Sequence, residues 1–174
     1  MLPVRSLWLS MLVLITFMVG AAPAALAVDR RGVFTAQLLG AHEVPPVNTE
    51  GAAVLKLTLH DASIDFELHW ANLSAGPAAA HIHFGQPLVN GGVVIFFCGG
   101  GGLPACPATA SGSISGTLTA TEVVGPTAQG VESGDLDALV RAIRTGEAYA
   151  NMHTARFPSG EIRGQIVPAL LLLN

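Results

Sequence analysis

Apolar and polar residues alternate with a period of two along most of this chain. In Ile64-Asp65-Phe66-Glu67-Leu68-His69-Trp70 the alternation is unbroken. An extended strand there puts Ile64, Phe66, Leu68 and Trp70 on one face and Asp65, Glu67 and His69 on the other. Ala53, Leu55, Leu57 and Leu59 alternate likewise against Val54, Lys56 and Thr58, which predicts a strand over 53–59. Further strands are predicted over 33–39, 79–84, 93–97, 113–121, 148–153 and 161–167. Turn clusters such as Asn72-Leu73-Ser74-Ala75-Gly76-Pro77 and Phe157-Pro158-Ser159-Gly160 separate most of them. Seven or eight short strands with this punctuation predict an all-β fold, an antiparallel Greek-key β-sandwich or a barrel. One segment departs from the pattern. Leu136, Leu139, Val140 and Ile143 fall at helical spacing, with Asp135 or Ser133 to cap the start and Gly146 to end it. A short structural helix is expected near 135–145, with Arg141 and Arg144 placed to complement its dipole.

The two ends read differently from the middle. Arg5, an apolar run over 7–19 and the small residues of 21–27 have the order of a signal peptide. Ala25-Leu26-Ala27 offers cleavage after Ala27, and the run is short for a hydrocarbon core of about 30 Å. Residues 1–27 are therefore expected to be a leader and 28–174 a single domain, periplasmic or secreted. At the other end Leu170, Leu171, Leu172 and Leu173 are too few to span a membrane. They are expected to cover a sheet edge or to meet a partner or a second copy.

Composition narrows the partners. The chain is 51% hydrophobic and 11% charged, which excludes a disordered polymer. Twelve acidic against eight basic residues, with Lys56 the only lysine, leave nothing to neutralise a phosphate backbone. In an exported chain Cys98 and Cys106, flanking Gly99-Gly100-Gly101-Gly102-Leu103-Pro104-Ala105, are expected to form a disulfide. The competing reading is a pair of thiolate metal ligands, although this spacing is not a standard zinc motif.

Most catalytic signatures are missing. The glycine run lacks the Lys-Ser/Thr of a phosphate-binding loop, and no Gly-x-Ser-x-Gly elbow occurs. Asp65 and Glu67 read as a solvated stripe. Six histidines are left. His81 and His83 stand two apart in a predicted strand, so both imidazoles share a face, and His153 closes another strand. A His-x-His pair joined by a third histidine is the pattern of three-histidine zinc and copper sites. The alternative is a set of ordinary histidines hydrogen-bonded at the sandwich rim. His42 is a candidate fourth ligand, while His60 and His69 are assigned to a turn and a wet face. Metal binding through neutral imidazoles is expected to weaken as pH falls toward about 6.5.

These residues lie in stretches that resemble the CHRD domain, named from chordin and found in many exported bacterial proteins. The resemblance runs from about 34 to 167. Glu43-Val44-Pro45-Pro46 looks like its opening turn, Ala80-His81-Ile82-His83 its central strand, and Phe96-Phe97-Cys98 with Pro104-Ala105-Cys106 its bacterial cysteine pair. Tyr149-Ala150-Asn151-Met152-His153-Thr154 and Phe157-Pro158-Ser159-Gly160-Glu161-Ile162-Arg163-Gly164-Gln165-Ile166 resemble its closing stretch. The resemblance implies an immunoglobulin-like or related β-sandwich and places His81, His83 and His153 inside shared motifs. His42 stands where the family more often has Asn. A fainter architectural likeness is to copper/zinc superoxide dismutase. Three functions follow as expectations. The first is an exported protein binding copper or zinc through His81, His83 and His153, for metal handling or redox protection. The second is a metal-free interaction module, and the third a dismutase-like metalloenzyme.

Overall fold

In the computed structural model, which describes residues 31–169, the period-two segments become nine antiparallel strands. The expected leader with its cleavage site at Ala27 and the leucines Leu170, Leu171, Leu172 and Leu173 lie outside the described residues. Three strands form a meander: β1 (Gly32–Leu39), β2 (Ala52–Leu59) and β3 (Ile64–Ala71). β4 (Pro77–Phe84) and β5 (Gly92–Cys98) pair as a hairpin, and β6 (Gly112–Leu118) returns to lie beside β3. After the helix α1 (Leu136–Thr145), β7 (Ala148–Thr154) pairs with β4, and β8 (Ile162–Gln165) joins β7 to β1. The strand order is β5-β4-β7-β8-β1-β2-β3-β6, with the two-residue β9 (Val167–Pro168) on β1.

This sheet curls on itself until it nearly closes. Phe66 of β3 and Phe97 of β5 come from opposite halves of the strand order, yet their ring centroids are 4.8 Å apart. A bridge between Ile95 and Val123 ties the two ends. The buried cluster takes Phe34, Ala36 and Leu38 from β1, Leu55, Leu57 and Leu59 from β2, and Ile64, Phe66, Leu68 and Trp70 from β3. Ile82, Ile95, Ala150, Met152 and Ile162 complete it from the other half. The alternation thus corresponds to core and outer face.

Local chemistry sets the ends of the elements. Asp135, not Ser133, caps α1 by accepting from the Ala138 N–H, and Gly146 closes it at φ 76°. The strand expected over 113–121 stops at Leu118, because Thr119 caps a short 3-10 turn over Ala120–Glu122 instead. The strand expected over 161–167 divides at Ile166: β8 lies between β7 and β1, whereas β9 pairs with β1 alone. Cys98 and Cys106 form the expected disulfide, with Cα atoms 5.0 Å apart. Among the described residues no helix is long and apolar enough to cross a membrane.

Candidate metal centre

Strand parity and register assemble the site. Ile82 points into the core, so its neighbours His81 and His83 point outward together. On β7 the core takes Ala150 and Met152, which leaves Tyr149, Asn151 and His153 outward. Register places His83 opposite Tyr149, His81 opposite Asn151, and His153 opposite Ala79, one diagonal step from His81. Arg163 of β8 stands opposite Asn151 and joins the same face. This outer face is polar and yet buried, because loops fold over it.

The three imidazoles meet there. Ring centroids are 4.5 Å apart for His81–His83 and 4.6 Å for His81–His153, and one ring nitrogen from each residue lies within 4.8 Å of the other two. His83 donates from Nδ1 to the Gly91 carbonyl at 2.8 Å, and His153 from Nδ1 to the Pro158 carbonyl at 2.9 Å. A carbonyl only accepts, so both rings carry their proton on Nδ1 and leave Nε2 with a lone pair. Those two Nε2 atoms and Nδ1 of His81 are buried and have no hydrogen-bond partner. Carbonyl-fixed tautomers with an unused second nitrogen are how proteins present histidine to a metal. The donor set fits a transition metal that takes neutral nitrogen ligands.

Burial keeps these rings uncharged. It pushes the His81 imidazole down to about 2, helped by the neighbouring charges of His83 and His153. His83 is pushed down to about 4, again chiefly by burial, with the Gly91 carbonyl pulling the other way. His153 is lowered for the same main reason, its Pro158 contact opposing.

Aromatic rings and a cation enclose the cluster. Phe96 of β5 meets His81 edge-on at 5.0 Å, and Tyr149 stacks on His83 at 4.6 Å with 9° between the planes. The Arg163 guanidinium lies 3.4 Å from the centre of the Tyr149 ring. Fully buried, it donates to the carbonyls of Gln86 and Val89 and to Asn90 Oδ1, which fastens the loop over 86–91 above the site. Gly91 then bridges the two stacked rings: its carbonyl accepts from His83 and its N–H donates to the Tyr149 hydroxyl oxygen. Only glycine fits, since a Cβ there would meet the Phe84 carbonyl oxygen at 1.7 Å. Asn151 donates to Glu43 Oε1 and to the Ile162 carbonyl. Burial raises the Glu43 carboxyl, opposed by Asn151, the Val44 backbone and Arg163.

The other sequence candidates lie apart. His42 is exposed in the 3-10 turn over Gly40–His42 and lines a groove with Leu88 and Arg163; the three-histidine group does not include it. His60 is exposed and pairs with Asp65 at 2.9 Å, and His69 is exposed on β3. Asp65 and Glu67 form the solvated stripe expected, Glu67 pairing with Lys56. Sequence reasoning missed Tyr149, Asn151, Arg163, Phe96 and Glu43 as parts of the site. For the β7 pair a signal existed, because Tyr149 and Asn151 share parity with His153.

A second buried polar group, Glu161, is structural. Its carboxylate accepts from Thr49 Oγ1, Thr154 Oγ1 and both the N–H and Oγ of Ser74, tying two loops to the end of β7.

Neither the curated proteins nor the solved structures yield a significant match to this chain. The CHRD domain profile matches residues 34–166, which spans β1 to the end of β8 and takes in all three histidines. The chain belongs to the CHRD domain family.

Proposed function

We propose that this CHRD-domain protein works outside the cytoplasm and binds one transition-metal ion, copper or zinc, through His81, His83 and His153. Its role is metal handling, that is holding or delivering the ion, or redox protection. One observation carries the reading. Three imidazoles from two strands converge, and each carries a buried ring nitrogen without a hydrogen-bond partner. Each such atom is destabilising by about 1–3 kcal/mol, so three in one place point to a bound species that uses them. The Cys98–Cys106 disulfide fits an oxidising compartment, and the leader-like 1–27 agrees with periplasmic export or secretion.

The interaction-module reading has its own support. Leu88 is 77% exposed at φ 65°, beside the exposed Val89 and close to Val167 on the rim of the His42 groove. An apolar tip held in a left-handed conformation suits contact with another protein.

Elemental analysis of untagged protein purified from a periplasmic extract tests the metal reading. About one copper or zinc per chain is expected, and far less in the His81→Ala/His83→Ala variant. Equal metal content in both would overturn it.

A further inference from the structure

We infer that the three-histidine site selects the monovalent ion Cu⁺ over Cu²⁺ and Zn²⁺, and that Arg163 sets this preference. The inference rests on the metal-site reading above and deepens it. The donor group consists of three neutral imidazoles and contains no carboxylate to offset a second positive charge. Glu43, the acid nearest Asn151, is engaged by the Asn151 amide rather than by the histidines. His81 is 5% exposed, and the rings around the cluster are those of Phe96 and Tyr149. Desolvating an ion in such surroundings is penalised as the square of its charge.

Arg163 adds a second discrimination. Its hydrogen-bond partners are two carbonyls and an amide oxygen, and the Glu43 carboxylate, held by Asn151, acts on it only through space. The Arg163 charge faces the site across a single ring, with 3.4 Å from guanidinium to Tyr149 and 4.6 Å from Tyr149 to His83. Repulsion from a fixed cation is twice as large for a divalent ion as for a monovalent one. Coordination number acts in the same direction. Zn²⁺ takes a fourth ligand, normally water in a three-histidine site, whereas Cu⁺ is satisfied by three nitrogens.

The test is a set of anaerobic competition titrations on the metal-free chain. Cu⁺ is titrated against bathocuproine disulfonate, and Zn²⁺ and Cu²⁺ against chelators of known affinity. The wild type is expected to hold Cu⁺ more tightly than Zn²⁺ by on the order of a hundredfold. Arg163→Met should narrow that ratio roughly ten- to thirtyfold, the size of one unit-charge repulsion at a separation of about 8 Å. Arg163→Lys keeps the charge and should restore the ratio even where the loop over 86–91 is loosened, which a purely structural role would not do. A wild-type preference for Zn²⁺, or an Arg163→Met ratio equal to wild type, overturns the inference and leaves the site standing. Failure to bind any of the three ions would instead remove the site reading itself. The wild-type ratio decides the matter if Arg163→Met does not fold.

Discussion

His83 and Tyr149 stand directly opposite one another on β4 and β7, and their rings lie 4.6 Å apart and nearly parallel. Gly91 binds both of them, accepting from one and donating to the other. Tyr149 thus orients a histidine through its ring face and, by way of Gly91, through its hydroxyl.

Substitutions at Tyr149 separate these two actions. Tyr149→Phe keeps the stack and strips the Gly91 N–H of its partner, so a loss of about 1 kcal/mol in stability is expected with metal affinity nearly unchanged. Tyr149→Ala removes the platform between His83 and Arg163. Stability should fall by about 3–5 kcal/mol and metal affinity by roughly 10–100-fold. Urea unfolding and metal titration on the two variants check both.

Acid acts on the metal-free fold through the buried histidines. In the unfolded chain an imidazole takes up a proton near 6.5, while folded His83 waits until about 4 and His81 until about 2. The unfolded state binds more protons between those limits, so stability falls as pH drops below 6.5. The window in which the folded rings lose their neutral form accordingly lies below the one near 6.5 expected from sequence. Nuclear magnetic resonance of the metal-free protein should find the His81 ring neutral at pH 5. A ring already protonated there would contradict the buried geometry.

Glu161 gives a separate acid signature. Burial raises its carboxyl, but the hydrogen bonds from Ser74, Thr154 and Thr49 prevail and hold it below the usual carboxylate range. A depressed folded value means stabilisation present above about 4.5 and lost as pH falls through the folded value. Glu161→Gln should destabilise by about 2–3 kcal/mol at pH 7 and progressively less in acid. Thermal unfolding across pH 3–7 would reveal the convergence, and parallel curves would argue against an ionised Glu161.

The strands were legible wherever one face met the core and the other met water, as in β2 and β3. The same parity put His81 and His83 on one face. It could not bring His153 to them, because β4 and β7 are neighbours only through a long crossover that no local pattern encodes. Arg163 was hidden for a related reason. In sequence it is an ordinary polar residue of the closing strand, and only the loop over 86–91 buries it. Tyr149 and Asn151 had the right parity, but polar residues on an outer face read as wet until loops cover them. The capping by Thr119 and the break at Ile166 depend on single local contacts, so the lengths of the sixth and eighth strands were overestimated.

Titration calorimetry with Zn²⁺ and Cu²⁺ on the metal-free wild type and the His81→Ala/His83→Ala variant reads out metal binding by the three histidines. One ion bound per wild-type chain is expected, with affinity at least about a hundredfold weaker in the variant, which retains a single imidazole of the three. Equal binding by the two proteins would contradict the three-histidine site.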